Sequence, residues 1–481
     1  QERFPRPEFE SGYEYPEHQM PADRAPVWEY IDLAVLVAAL SVASWLVLKK
    51  RSRQGLIWLS VFSLAYFGFF REGCICSIGA VQNVALALFN NSYTIPLTAL
   101  LFFIIPLLFA LAFGRVFCAG VCPLGAIQEL VGFKSVKLPR VVESVMISVP
   151  FIYLGISVLA AATESQFLIC RYDPFVGIFR LNAPYTMVIF GALLLVAGIF
   201  INRPYCRYLC PYGALLNVFS RFSNRHLTIT PAECTNCRLC EDVCPYDAIL
   251  PSDEARPAIE PAKERKRFLI YLVLVPVFAA AGAILSGNLS NVFAGLNSDV
   301  RLAREIRAEK ESGIPALSQA AAGFKEEGTT EEELFELETY INKRYKKGSI
   351  WMGIFLGASF GMSLVALSTR SRRTGYEPHR GKCYSCGRCF SYCPVHLNKD
   401  KNGLASFYLL QIKPLVCHEE DYHVDIDKID NEHLVLYSEK IMGNGKLQHI
   451  KDVIFVMPDK FSNTKTMEMK EEIDALNQKM Q

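Results

Sequence analysis

Seven apolar runs divide the chain, at roughly Ile31 to Leu48, Leu56 to Phe70, Ile95 to Phe113, Val145 to Ala162, Tyr185 to Ile201, Phe268 to Leu285 and Ile350 to Leu367. A helix needs about 20 residues to cross ~30 Å of hydrocarbon, so the pattern predicts an α-helical integral membrane protein of about seven spans, the second leaning on its flanks for length. The competing reading is a large soluble core of buried helices. A hydrophobic content of 51%, with only 20% charged residues, favours the membrane. Net charge is +2, which offers no basic surface for nucleic acid. Asp32 lies at the edge of its run and reads as interfacial, without a role.

Short-loop Lys and Arg set the orientation. Lys49, Lys50, Arg51 and Arg53 follow the first run, and Arg115, Lys134, Lys137 and Arg140 follow the third. Lys263, Arg265, Lys266 and Arg267 precede the sixth, and Arg370, Arg372 and Arg373 follow the seventh. The opposite side holds Arg71, Arg171 and Arg180. The prediction is a multi-pass protein of a bacterial inner membrane, N-terminus external and C-terminus cytoplasmic. Gln1 in place of Met suggests a processed signal peptide. The predicted organisation is an external arm (1–30), a membrane domain (31–225), the first half of a ferredoxin module (226–262), a span (263–286), an external helical cap (287–348), a span (349–369), the second half of the module (370–400) and a cytoplasmic tail (401–481). Within the cap, Thr330 and Glu333 form a capping-box pattern ahead of a helix towards Tyr345. Strand-like tracts at Leu434 to Tyr437 and Val453 to Met457, then a Glu- and Lys-rich helix, occupy the tail.

The chain carries 16 cysteines. Cys234, Cys237, Cys240 and Cys244, followed by Pro245, form CxxCxxCxxxCP, and Cys383, Cys386, Cys389 and Cys393, followed by Pro394, repeat it. That spacing wraps three thiolates round one cubane and sends the fourth to a second. The expected module is α+β and ferredoxin-like, with one [4Fe-4S] cluster on Cys234, Cys237, Cys240 and Cys393 and another on Cys383, Cys386, Cys389 and Cys244. Zinc is the alternative, although it prefers paired CxxC knuckles or Cys/His mixtures.

Inside the membrane domain, Phe117-Cys118-Ala-Gly-Val-Cys122-Pro123-Leu-Gly125-Ala126 matches Tyr205-Cys206-Arg-Tyr-Leu-Cys210-Pro211-Tyr-Gly213-Ala214. On the other side, Cys74-Ile-Cys76-Ser-Ile-Gly79-Ala80 and Cys170-Arg-Tyr-Asp173-Pro174 echo the same pattern, with Asp173-Pro174 in place of Cys210-Pro211. The pattern reads as an inverted helix-pair repeat. Cys118, Cys122, Cys206 and Cys210 supply four thiolates for a third [4Fe-4S] cluster on the inner face, the alternative being free or structural thiols. Cys74, Cys76 and Cys170, with Asp173 as fourth ligand, suggest an outer-face cluster, against a disulfide or a lone buried thiol. Cys417, beside His418, is left without a role. No CxxCH and no histidine within an apolar run occur, so no haem is predicted on this chain.

Iron–sulfur sites at both faces, continuing into a cytoplasmic ferredoxin module, would pass single electrons across the bilayer. At this point FGRVFCAGVCPLGAIQEL, NRPYCRYLCPYGALLNV and CTNCRLCEDVCP resemble the NosR/NapH-like polyferredoxin membrane proteins, over about residues 55 to 250 and at 383 to 394. The resemblance implies an electron-transfer subunit of an oxidoreductase complex, exchanging electrons between the quinone pool or cytoplasmic donors and external reductases. It carries over to the CxxxCP cysteines and both ferredoxin motifs. NosR-like proteins also have an external domain with threonine-linked FMN; the residues before Ile31 do not make one and no SGATS-like attachment sequence is visible, so no covalent FMN is expected. The expected partners are membrane lipid, an external flavin- or haem-bearing protein, a cytoplasmic donor or acceptor, and quinone as a candidate ligand. Two other functions fit the same motifs: a quinol-oxidising subunit feeding a reductase, or a maturation or redox-sensing subunit. Glu72, Glu129 and Glu164 lie at membrane boundaries, where single acids are usually solvated.

Overall fold

Four times along residues 53–221 the chain follows one course: an apolar helix, a left-handed residue that stops it, a turn, and a shorter helix folding back. The computed structural model describes residues 25–73, 77–132, 136, 138–180, 184–229, 239–250, 261–312, 318–327, 330–368 and 376–392, together with the backbone of three strands between 422 and 456. The first course runs through Arg53–Ser63 and Leu64–Phe70, stops at Glu72 (φ 52°) and Gly73 (φ 64°), and returns as Ser77–Phe89. Leu97–Phe113 stops at Gly114 (φ 78°) and returns as Pro123–Val131. Val149–Ala162 stops at Glu164 (φ 59°), passes through Leu168–Tyr172 and returns as Pro174–Arg180. Tyr185–Phe200 stops at Arg203 (φ 54°), passes through Pro204–Tyr208 and returns as Pro211–Arg221. A left-handed residue closes a helix by turning following N–H groups back onto its last carbonyls, as where Ser165 N donates to Ala160 O at 3.0 Å. Pro123, Pro174 and Pro211 then start the return helices, where their fixed φ is pre-organised and their missing N–H costs nothing.

These stops change the span count. Among the described residues three helices are long and apolar enough to cross a membrane: Val27–Lys50, Arg265–Asn288 and Glu331–Val365. A fourth is reached if Pro174–Arg180 and Tyr185–Phe200, bent by 110°, form one broken span. Three or four therefore meet the length that seven were expected to meet, because the central helices, such as Leu97–Phe113 and Val149–Ala162, are closed at these stops before reaching it. Large apolar side chains such as Trp58, Leu193, Val273 and Trp351 remain exposed, as an apolar solvent requires. Asp32 is fully buried rather than interfacial: Arg71 Nε lies 2.8 Å from its carboxylate and Tyr66 donates to it at 2.7 Å.

The helices Pro261–Asn288 and Glu331–Ser368 form a hairpin joined by glycine. A Cβ on Gly353 would overlap the Gly282 carbonyl, one on Gly357 the Phe278 carbonyl, and one on Gly361 would sit 2.8 Å from Val275 Cα. Small residues spaced by four let the backbones touch, which substitutes packing for the hydrophobic drive that lipid removes. The expected cap helix is not separate from the last span: Glu331–Ser368 is one rod of 38 residues starting just after Thr330. The hairpin returns the chain to its point of departure, so Ile249–Leu250 pairs antiparallel with Glu377–Pro378 and His379 N donates to Ala248 O at 2.6 Å. The two distant ferredoxin motifs are thereby set side by side. In the tail, Tyr422–Asp430, His433–Ile441 and Leu447–Val456 form an antiparallel meander, with the tract at Leu434 to Tyr437 opposite Asp452 to Phe455 and an irregularity at Ser438/Glu439. The N-terminal arm and the last expected helix lie outside the described residues.

Replacing Gly357 with Leu forces the hairpin apart. The expected cost is about 1–3 kcal/mol or more, typical of overpacking, together with loss of iron from the ferredoxin module. Gly287→Ala, whose Cβ would meet only Ile350 Cγ1 at 3.4 Å, should change neither. Thermal melts and iron content of the detergent-solubilised variants check both.

Candidate iron–sulfur site

Cys122 and Cys210 each occupy the position just before a proline that begins a return helix, with extended backbones (φ −75°, ψ 119° and φ −67°, ψ 112°). A residue preceding proline is driven into this region, so the Cys-Pro pair itself aims the sulfur at the helix N-terminus, where backbone N–H groups favour negative charge. Gly213 N donates to Cys210 Sγ at 3.3 Å, and Gln128 Nε2 to Cys206 Sγ at 3.3 Å. The glycine three residues after each second cysteine allows the turn to close: a Cβ on Gly125 would lie 3.4 Å from Cys118 O, and one on Gly213 3.2 Å from Cys206 O. Cys118, Cys122, Cys206 and Cys210 are all buried and line one small cavity. Burial pushes the Cys206 thiol up to about 12 and the neighbouring arginines pull it back, while burial and the other three thiols hold Cys210 well above its ordinary value. Such thiols ionise only when a cation takes the proton's place. Among the described residues no three His, Cys, Asp or Glu side chains gather round a point as a single ion requires. Four buried thiols round one cavity are the donor set that a [4Fe-4S] cubane takes.

Each motif also carries an arginine three residues before its first cysteine, and each arginine reaches across to the other motif. Arg115 Nη2 donates to Gly213 O at 3.2 Å, and Arg203 Nη1 donates to Cys118 O. Both are buried. Arg203 Nε meets Glu129 at 2.9 Å, and the same carboxylate takes Arg53 and Arg388, each at 3.0 Å. Glu129 is thus buried and triply paired rather than solvated. Burial alone would raise it, but Arg203, Arg388 and Arg53 hold it down at about 2. Glu164 is half exposed and pairs with Arg344 at 2.9 Å.

The second ferredoxin motif is docked on this layer. Tyr384 donates to Cys206 O at 3.1 Å, Arg53 Nη1 to Cys386 O at 3.1 Å, and Arg115 Nη1 to Gly381 O at 3.2 Å. Tyr384 also packs on Tyr246 with ring centroids 4.5 Å apart. Cys383, Cys386 and Cys389 lie close enough to Cys244 to act electrostatically on one another, and burial is the main reason that Cys244, Cys383 and Cys389 sit high. The structure therefore brings together Cys244 from one half and three cysteines from the other. Cys240 is buried beside them. Cys234, Cys237 and Cys393 lie outside the described residues, as does Cys417.

Of the outer set, Cys74 and Cys76 lie outside the described residues, and Cys170 is exposed. Asp173 is buried and already engaged: Oδ1 accepts from Phe175 N at 2.9 Å and Val176 N at 3.3 Å, while Oδ2 accepts from Tyr205 at 3.1 Å. It caps the return helix from the place that Cys210 takes in the fourth course, and burial raises its carboxyl to about 6. Two glutamines were missed by pattern reading. Gln128 accepts from Tyr205 N at 3.0 Å, just before Cys206, and Gln82 accepts from Ile169 N at 3.0 Å, just before Cys170. Both follow their motif's second cysteine by six residues, and both arginines precede their first by three, so the extended motif was readable once the copies were aligned.

Removing Glu129 leaves three guanidiniums without their shared partner. Glu129→Ala should cost about 3–5 kcal/mol, as expected for breaking a buried pair. A carboxyl whose folded value is depressed contributes stability above its unfolded value, and that contribution fades as pH falls towards about 2. The gap between wild type and Glu129→Gln should therefore be full near neutrality and narrow below about pH 4.5, which melts across pH would record.

Models described as 4Fe-4S binding domains match residues 95–141 with 182–230, and 227–250. The first match covers both CxxxCP turns. The chain is 32% identical over 189 residues to the uncharacterized protein MJ0750 of Methanocaldococcus jannaschii, covering 37% of this chain and 76% of that protein. It is 30% identical over 238 residues to the regulatory protein NosR of Pseudomonas aeruginosa (46% of this chain, 33% of NosR) and 30% identical over 158 residues to the ferredoxin-type protein NapH of Haemophilus influenzae (31% of this chain, 54% of NapH). It thus spans about a third of NosR and about half of NapH. No solved structure matches. The buried CxxxCP thiols, the paired ferredoxin motifs and these relatives together make the chain a member of the NosR/NapH-like polyferredoxin family of iron–sulfur electron-transfer proteins.

Proposed function

We propose that this chain carries single electrons through a membrane as a subunit of an oxidoreductase complex, along a line of iron–sulfur sites. The observation that carries the reading is Tyr384. Its hydroxyl touches the backbone of Cys206, it lies between Cys383 and Cys386 in sequence, and its ring packs on Tyr246, two residues after Cys244. One side chain thus bridges the membrane-domain thiols and the ferredoxin thiols. The donor set fits [4Fe-4S] clusters at Cys118, Cys122, Cys206 and Cys210 and at Cys383, Cys386, Cys389 and Cys244, and the motif spacing alone assigns another to Cys234, Cys237, Cys240 and Cys393. Bound there, such clusters exchange one electron at a time. Gln128 and Gly213 donate to sulfur, and the closed turns exclude water from the inner set.

On this reading the short helices cross the bilayer with help from their return helices, giving seven crossings with the ferredoxin module on the cytoplasmic, Lys- and Arg-rich face. Cys74, Cys76 and Cys170 lie towards the external side. Partners are an external redox protein and a cytoplasmic donor or acceptor. Iron and sulfide per chain, with EPR of the reduced protein, test the cluster set: about sixteen irons support four cubanes, about twelve support three, and about eight leave only the ferredoxin module. Cys118→Ser with Cys206→Ser should remove about four irons and one EPR signal, and Tyr384→Leu should keep the iron but slow electron passage between sites.

A second reading, quinol oxidation, is favoured by a cleft beside Cys206. Ile147, Pro150 and Phe151 form its apolar wall, while His379, Lys382 and Tyr384 face them. Reduction of the purified clusters by a quinol, abolished by Phe151→Trp, would support it, and failure of any quinol to reduce them would exclude it.

A further inference from the structure

Arg203 and Arg115 occupy equivalent places in the two CxxxCP copies, yet among the described residues only Arg203 of the two has a counter-ion. Glu129 neutralises Arg203 at 2.9 Å. Arg115 is 3% exposed and, among the described residues, meets no carboxylate. Its Nη atoms donate to the carbonyls of Gly381 and Gly213, its guanidinium lies 4.0 Å from the centre of the Tyr384 ring, and its Nε is buried without a hydrogen-bond partner. The side chain lines the same cavity as Cys118, Cys122, Cys206 and Cys210. Taking a charge out of water without an opposite charge is among the costliest things a fold can do, so the missing partner calls for an explanation.

We infer that Arg115 is the built-in counter-charge of the cluster held by these four cysteines, and that it sets this cluster's reduction potential above what the thiol cage alone would give. The inference rests on the proposed cluster at that site. Each reduction adds one electron to an already anionic cage, and a fixed cation in a low-dielectric site favours the reduced state over the oxidised one. Arg203 contributes less, because Glu129 shares its charge.

The test is a redox titration of the intact, cluster-loaded protein followed by EPR, with Arg115→Lys and Arg115→Gln beside wild type. Lysine keeps the charge and loses the fork of contacts, whereas glutamine loses the charge. The inner cluster of Arg115→Gln should move to a more negative potential by at least tenfold in its reduction equilibrium, ~59 mV for one electron. That of Arg115→Lys should stay nearer wild type, and the ferredoxin signals should move in neither. Equal potentials in all three proteins, or equal shifts in both variants, would overturn the inference. Should Arg115→Gln not retain the cluster, iron content is the readout: loss in Gln but not Lys supports the charge requirement, and equal loss overturns it. A wild type that shows no signal dependent on Cys118 and Cys206 would instead overturn the cluster assignment itself.

Discussion

One carboxylate organises the inner layer of this protein. Glu129 receives Arg53 from the first loop, Arg203 from the second CxxxCP copy and Arg388 from the second ferredoxin motif, all within 3.0 Å. These segments are 76, 74 and 259 residues away in sequence. Each pair alone would recover its desolvation cost poorly, but a shared anion compensates several cations at once and requires all three segments to be in register. Asn202, which accepts from Arg388 at 3.4 Å, and Gly132, whose carbonyl accepts from the same guanidinium at 3.3 Å, tie the knot to both motif copies. The docking of the ferredoxin half on the membrane layer follows from it.

The knot also leaves an excess of positive charge at the thiol layer, with Arg203 fully buried and Arg53 and Arg388 partly so. Three arginines face one Glu129, and Arg115 lies beside the thiols without a carboxylate among the described residues. The N-termini of the return helices add partial positive charge at Cys122 and Cys210. A low-dielectric interior disfavours such an arrangement unless an anion belongs at its centre, and the four buried cysteines are where the proposed cluster would supply it. The electrostatics and the cysteine geometry thus point to the same place by independent routes.

Much of this was legible in the sequence, and the failures have physical causes. Cysteine spacing located the CxxxCP turns and the described cysteines of the ferredoxin motifs, Cys240, Cys244, Cys383, Cys386 and Cys389, because metal geometry constrains spacing directly. The pairing of Cys244 with Cys383, Cys386 and Cys389 followed from the rule that the fourth cysteine of such a motif serves the other cluster, though not the means: the glycines at 282, 353 and 357 that fasten the hairpin have no periodic signature in an apolar run. Hydropathy placed the runs at 95–113 and 185–201 where helices form, but it could not see the left-handed residues Gly114 and Arg203 that follow them and turn the chain back. Position along the chain marks Glu129 as a solvated boundary acid and gives Asp32 no role, because a one-dimensional reading cannot see arginines arriving from distant segments. Asp173 was identified as the counterpart of Cys210. Its work as a helix cap held by Tyr205 needed coordinates.

That contact explains why the central helices are short. Tyr205 immediately precedes Cys206, yet its hydroxyl reaches Asp173 in the turn that carries Cys170, and its ring lies edge-on to Phe175 at 5.3 Å. The two turns are therefore neighbours, joined through one tyrosine side chain. Full-length helices would have held them apart by about 30 Å, the thickness of the hydrocarbon. By stopping each helix early and folding the motif back on a proline-led return helix, the chain brings the turn that carries Cys170 within reach of the tyrosine that precedes Cys206.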